Sequence, residues 1–263
     1  MLAILGGQSV GFVIAIAFVI VSREPVPSLE ALAWGALAGT SGTIGLAGFY
    51  RVLAAGQMSL AAPLVAVIGA GVPALVGLLL GDPLKALQLL GIACGLCAIG
   101  IVSWTGGAPL TDPEALVRGE ASPAPAVTNA WPLILLAGLG FAGFFLAIHQ
   151  ATELTGQTWW PLLAARAATV GVAVVMVAAL RPARRGMAAA WPFFLLIGCG
   201  DFGGNAFFVL ASQQGPLSVA VILSSLYPVT TVLLAAWLLR ERLRRWQLAG
   251  VALALVGVLL IAV

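Results

Sequence analysis

Asp201 is the one carboxylate set deep inside a long apolar stretch of this chain, twelve residues into 189–212. A charge at the centre of a lipid-spanning helix costs about 2.5–3.5 kcal/mol on the insertion scale, so it needs an interior partner or a wet cavity. Such a group can couple to protons, couple to another cation, or touch a cationic solute. The plainer account is a carboxylate paired with Arg166 that only pins two helices. Asn205 lies one turn further on the same face and would share that environment. Arg166, in the first half of Trp159–Leu180, either snorkels to the interface or faces inward, as an anion contact or as the partner of Asp201. His149 is the sole histidine, and an imidazole that titrates near neutrality suits a proton relay, with Gln150 beside it. A His149–Glu153 pair near the helix end is the plainer explanation. Ser224, Ser225 and Tyr227 are uncharged polar groups that can line a cavity at small cost, or bond between helices.

The elements that must position these residues are membrane spans. The chain of 263 residues is 62% hydrophobic and only 8% charged, with mean hydropathy +1.12. A soluble domain would carry roughly 25% charged residues. Long apolar runs with short polar breaks point to a polytopic α-helical membrane protein, since helices satisfy their own backbone in lipid. The ~10-residue alternating segments of a membrane β-barrel do not occur. Spans are expected at Leu2–Val21, Ala31–Ala55, Met58–Leu80, Leu87–Trp104, Trp131–Thr152, Trp159–Leu180, Ala189–Ser212, Pro216–Leu239 and Trp246–Val263. Trp104, Trp131, Trp159, Trp160, Trp191 and Trp246 cluster at their ends, as in an aromatic belt. The first span lacks a basic n-region and a small-residue cleavage site, which argues against a signal peptide. One Lys against eleven Arg suggests a GC-rich genome, hence a bacterial cytoplasmic (inner) membrane.

The last 49 residues, Gly215–Val263, repeat Gly56–Trp104 at an offset of 159 positions. Gly215 falls on Gly56, Ser218 on Ser59, Glu241 on Asp82, Leu243 on Leu84, Gln247 on Gln88 and Gly250 on Gly91. Leu and Ala matches mean little in so apolar a chain; Gly, Ser, Gln and acid matches at helix breaks mean more. Val10-Gly11 likewise matches Val170-Gly171 at an offset of 160. One unit is therefore used twice. The units are 1–104 and 131–263, joined by the Gly-, Pro- and acid-rich linker 105–130.

Four spans precede the linker and five follow it. The first unit lacks a counterpart of Trp131–Thr152: either the start site is set one helix late, the favoured reading, or this is a nine-helix variant. A complete five-helix unit crosses the membrane an odd number of times, so tandem copies lie antiparallel. Charge agrees with this: loops 181–185 and 240–245 hold seven Arg, whereas the equivalent first-half loops hold only Arg23 and Lys85. Opposite bias in matching loops is what inverted repeats produce.

The pattern Tyr50-x-x-Leu53-Ala54-x-Gly56-x-x-Ser59, an apolar helix, then Gly81-Asp82-x-Leu84-x-x-x-Gln88-x-x-Gly91 resembles an EamA-type repeat. Leu210-Ala211 through Gly215-Pro216-Leu217-Ser218, Tyr227-Pro228, Glu241-x-Leu243, Gln247 and Gly250 resembles it again. Over nearly the whole chain the sequence is similar to the drug/metabolite transporter superfamily. That resemblance implies an all-α bundle of two inverted repeats, five plus five helices in the family against four plus five here. It also implies a solute cavity between the halves near the bilayer centre. Gly69 stands where Pro228 stands in the second copy, so bending through Gly69-Ala70-Gly71 is expected in its place. Family members usually place the C-terminus in the cytoplasm; the Arg count favours the opposite side, and orientation stays open.

The function expected is secondary transport or export of a small metabolite or drug-like compound by alternating access, with proton exchange at Asp201. Asp201, Asn205, Arg166, Ser224, Ser225 and Tyr227 are the expected cavity residues, with His149 and Gln150 as a relay. Gly69, Gly71, Gly200 and Pro228 are the expected hinges. No cofactor, metal or nucleic acid is expected; the partners are a small-molecule substrate, the bilayer and, as one arrangement, a second copy in a homodimer. A non-transporting scaffold or accessory subunit is the rival. Gly198-Cys199-Gly200-Asp201 and Pro73-Ala74-Leu75 mimic an intramembrane aspartyl protease, but that chemistry needs two embedded aspartates, and Asp82 and Asp112 are in loops. Cys94-x-x-Cys97 has no second pair or nearby His and is read as small packing residues; Cys199 is the third cysteine.

Overall fold

The computed structural model describes residues 2–54, 58–103, 131–180, 191–238 and 245–262. These form only helices: α1 Leu2–Ser22, α2 Leu29–Ala54, α3 Met58–Leu79, α4 Ala86–Ser103, α5 Trp131–Glu153, α6 Trp159–Leu180, α7 Trp191–Gln214, α8 Leu217–Ser224, α9 Tyr227–Leu238 and α10 Arg245–Ala262. Six of them, α1, α3, α4, α5, α6 and α7, are long and apolar enough to cross a membrane; Leu217–Thr230 and Arg245–Ile261 are shorter apolar stretches. The protein is therefore a multi-pass integral membrane protein. The expected linker 105–130 and most of the Arg-rich loops lie outside the described residues.

Two compact units share the helices. Unit 1 takes Met1–Thr43 and Gly143–Gly215, and unit 2 takes Ile44–Ala142 and Pro216–Val263. In unit 1, α1 runs antiparallel to α6, since Gln8 meets Arg166 while Phe18 stacks on Trp159. The first part of α2 also packs on α6 through Gly35-x-x-x-Gly39. A Cβ on Gly35 would sit 2.7 Å from the Pro161 carbonyl oxygen, and one on Gly39 would overlap the Ala165 carbonyl. Helices can approach this closely only where a hydrogen replaces a side chain. The Thr169 hydroxyl reinforces the seam by donating to the Gly39 carbonyl at 3.1 Å.

The α1–α2 loop is tied down by charge. Arg23 ends α1 at φ 54, and Glu24 then reaches the start of α6. Its carboxylate accepts the Thr158 and Trp159 N–H groups, each at 3.2 Å, and its carbonyl accepts the Trp160 indole N–H at 3.1 Å. A carboxylate at a helix N-terminus meets unsatisfied amides and the positive end of the helix dipole.

In unit 2, α4 and α10 pair antiparallel. A Cβ at Gly91 would lie 2.8 Å from the Gly257 carbonyl oxygen and from the Ile261 side chain, and one at Gly250 would lie 2.5 Å from the Val102 side chain. Ala98, Val102, Val229, Val251 and Ala254 form the buried core around this pair. A second core joins Val52, Ala61, Val65, Ile134 and Ala137, where α2, α3 and α5 meet.

The expected span Pro216–Leu239 is broken into α8 and α9 at Ser225-Leu226. Pro228 supplies the reason: it has no N–H for the Ser224 carbonyl, and its ring crowds that carbonyl. The Ser225 N–H turns back to the Val221 and Ile222 carbonyls, at 2.9 and 3.2 Å. By contrast α3 is continuous through Pro63 and Pro73, with Gly69 and Gly71 inside it. At the other end of α8 the N-cap is Pro216, which has no side-chain cap of its own. Asp82, from the α3–α4 loop, supplies one instead, accepting the Ser218 N–H at 2.9 Å and the Ser218 hydroxyl.

Candidate functional site

Three polar side chains meet in unit 1: Gln8 from α1, Arg166 from α6 and Asp201 from α7. Arg166 and Gln8 are buried, at 5% and 8% exposure. The Arg166 Nη1 donates to Gln8 Oε1 and to Asp201 Oδ2, and its Nη2 donates to the Asp201 backbone carbonyl at 3.2 Å. Gln8 Nε2 completes the cluster by donating to Asp201 Oδ2 at 2.9 Å. The amide of Gln8 thus uses both ends at once, as a donor to the anion and an acceptor from the cation. A membrane-embedded ion pair survives only with such supporting hydrogen bonds.

Aromatic rings complete the surroundings of the guanidinium. Its central carbon lies 5.9 Å from the centroid of the Phe202 ring, within reach of a cation–π attraction. Phe202 belongs to a stack with Phe18 and Trp159, with the Phe18–Trp159 centroids 4.3 Å apart. Trp159, the first residue of α6, thus joins a ring stack with Phe18 and Phe202. Arg166 does not snorkel. Its side chain is 6% exposed, whereas that of Asp201 is 40% exposed. The pair therefore presents its anionic end and hides its cationic one.

Asn205 lies half-buried on α7, one turn from Asp201, and makes no hydrogen bond among the described residues. Gly200, Gly203 and Gly204 lie on the same stretch, and a Cβ on any of them would meet nothing within 4 Å. Gly200 sits inside the unbroken α7.

The other candidates fall on other elements. His149 and Gln150 are in the last turns of α5, where the Thr152 hydroxyl donates to the His149 carbonyl at 2.8 Å. Ser224, Ser225 and Tyr227 belong to unit 2, at the α8–α9 break; Ser225 is buried and Tyr227 exposed. Cys94 is half-buried, and Cys97 and Cys199 are exposed.

Gln8 escaped the sequence reading. It is an uncharged residue in a strongly apolar helix, 158 and 193 positions from its partners, so only its amide in an otherwise oily turn could have marked it.

Residues 123–263 match the model of the EamA-like transporter family. A crystal structure of a protein described in no further terms superposes with a TM-score of 0.71, over 98% of this chain and 85% of that one, at 18% identity. At that identity the likeness concerns the fold. No curated protein matches the sequence.

Proposed function

Because the chain belongs to the EamA-like transporter family, we propose that it carries a small metabolite or drug-like compound across the membrane by alternating access, with proton exchange at Asp201. Membership in this family implies a secondary transporter, typically without enzymatic activity. The observation that carries the proposal further is the Gln8–Arg166–Asp201 cluster. Pinning two helices does not call for one of the two charges to stay accessible, and burying either one carries a desolvation cost. Here the carboxylate stays 40% exposed while two side-chain donors hold its Oδ2 in place and a third hydrogen bond fixes the Asp201 backbone carbonyl. A fixed, reachable carboxylate within a span is what a carrier needs to exchange one bound species for another.

The inverted-repeat reading has its own support in the α4–α10 pair. Positions 91 and 250 stand at the offset of 159, and so do 102 and 261. Gly91 meets Ile261, and Gly250 meets Val102. Each last helix therefore touches the other through the same two positions, as copies related by a twofold axis would. We read the repeats as 1–104 and 131–263, the membrane as a bacterial cytoplasmic one, and a homodimer as the arrangement to look for. The α8–α9 break beside Pro228 is the hinge of the second repeat; Gly69, Gly71 and Gly200 would supply compliance within continuous helices.

The test is exchange in proteoliposomes under imposed pH gradients, for wild type and Asp201→Asn. Transport that follows the gradient in wild type, and loses that dependence in the variant, is expected. Unchanged transport and unchanged pH dependence in Asp201→Asn would sink the coupling role.

A further inference from the structure

We propose that the solute taken at this site carries a protonated amine, held by the free oxygen of Asp201 together with the side-chain amide of Asn205. This rests on the carrier reading above and adds to it the chemical class of the cargo.

The ion pair is polarised. The Arg166 side chain is 6% exposed and that of Asp201 40%, so a solute approaching the pair meets a carboxylate, with the guanidinium shielded behind it. Both side-chain donors to Asp201, Gln8 Nε2 and Arg166 Nη1, converge on Oδ2. The second guanidinium contact goes to the backbone carbonyl. Oδ1 accepts nothing among the described residues, yet an ionised carboxylate oxygen has about two lone-pair sites to fill.

Asn205 repeats the pattern one turn later, half-buried and without a hydrogen bond among the described residues. A primary amide holds one acceptor oxygen and two donor hydrogens, and leaving them unfilled in an apolar span is costly. Space is available beside Asp201, because no atom lies within 4 Å of a Cβ built on Gly204, three residues along the same helix. One turn before Asp201, Ile197 is 47% exposed and offers apolar surface to a carbon skeleton.

An ammonium group has three donors and no acceptor. It can give one hydrogen to Asp201 Oδ1 and another to the Asn205 carbonyl oxygen, and the first bond is charge-assisted on both sides. An acid would find only the Asn205 NH2 and would face the Asp201 charge. An alcohol could bond to either group but would gain only half of that charge assistance. The site's chemistry therefore selects amines.

The experiment uses the full chain, purified and reconstituted. Phenethylamine, 1,4-diaminobutane and agmatine are compared with 3-phenylpropionate and succinate, and with glucose as a neutral solute. Thermal stabilisation reads binding, and counterflow of the radiolabelled compound reads exchange. At least one amine should stabilise wild type and undergo counterflow, while the acids do neither. Asp201→Asn should weaken amine binding roughly tenfold or more, and Asn205→Leu about fivefold, in line with the loss of a charge-assisted and a neutral hydrogen bond. Asn205→Leu leaves the ion pair intact, so it decides the matter even if Asp201→Asn fails to fold. Binding of an acid as well as any amine, amine affinity unchanged in Asn205→Leu, or no amine bound would each overturn the proposal. Exchange of glucose or an acid without any amine would leave the carrier reading standing; exchange of none of the six would bring that reading down as well.

Discussion

Replacing Arg166 with Met and Asp201 with Leu, singly and together, tests whether the pair is built as its exposure implies. The two single changes are not equivalent. Asp201→Leu leaves a guanidinium that is 6% exposed, with Gln8 Oε1 and the residue-201 backbone carbonyl as its remaining hydrogen-bond acceptors and the Phe202 ring nearby. A stranded cation at mid-span costs about 2.5–3.5 kcal/mol on the insertion scale, so a loss of about 3 kcal/mol is expected. Arg166→Met strands a carboxylate that is already 40% exposed and that keeps the Gln8 amide at 2.9 Å; its loss should be smaller, about 1–2 kcal/mol. The double variant removes both charges and leaves only Gln8 without its partners, so it should lose less than the sum of the singles by about 2 kcal/mol or more. Chemical unfolding in mixed micelles supplies all four stabilities. A coupling under about 0.5 kcal/mol, or an Arg166→Met variant less stable than Asp201→Leu, would refute the claim that the guanidinium is the buried partner and the carboxylate the accessible one.

Other outcomes follow from contacts away from the pair. Gly39→Ala should fail to assemble or lose at least about 1–3 kcal/mol, because its methyl group overlaps the Ala165 carbonyl, a backbone atom that cannot swing aside. Gly200→Ala, with nothing within 4 Å, should be neutral or up to about 1 kcal/mol stabilising through helix propensity; a larger loss there than at Gly39 would contradict the packing described. Asp82→Ala should cost about 1 kcal/mol and speed hydrogen exchange at the Ser218 amide, with Asp82→Asn retaining part of the protection. Unaltered exchange at Ser218 in Asp82→Ala would show that the carboxylate is not its cap.

How far the sequence carries can be judged residue by residue. Asp201 and Arg166 stand out because a charge inside an apolar run has an obvious cost, and their pairing was one of the alternatives that cost suggested. Gln8 did not, since an amide in lipid is cheap enough to pass unnoticed and its partners are far away in the chain. Proline marked the break before Pro228, but Pro63 and Pro73 carry the same mark inside a continuous α3. Local chemistry therefore indicates where a helix can break, and tertiary packing decides whether it does. Trp159 shows the same limit, as its position at a span end gives no sign of the stack it makes with Phe18 and Phe202.

The repeat proposed above accounts for which of these features were readable. Where the two copies agree, as at Gly91 and Gly250, the shared residue is a glycine that lets α4 and α10 touch. At two of the positions where they differ, the second half carries a charge. Asp201 stands opposite Gly42 at the offset of 159, and Arg166 opposite Gly6 at the offset of 160 that aligns α1 with α6. In the first copy both positions serve packing: a Cβ on Gly42 would press on Phe144, and one on Gly6 would collide with the Phe194 ring. In this reading two half-buried glycines of the first half stand opposite an ion pair in the second, with Asp201 its exposed member. Agreement at Gly91 and Gly250 goes with close helix packing, and disagreement at 6 and 166 and at 42 and 201 goes with the proposed site.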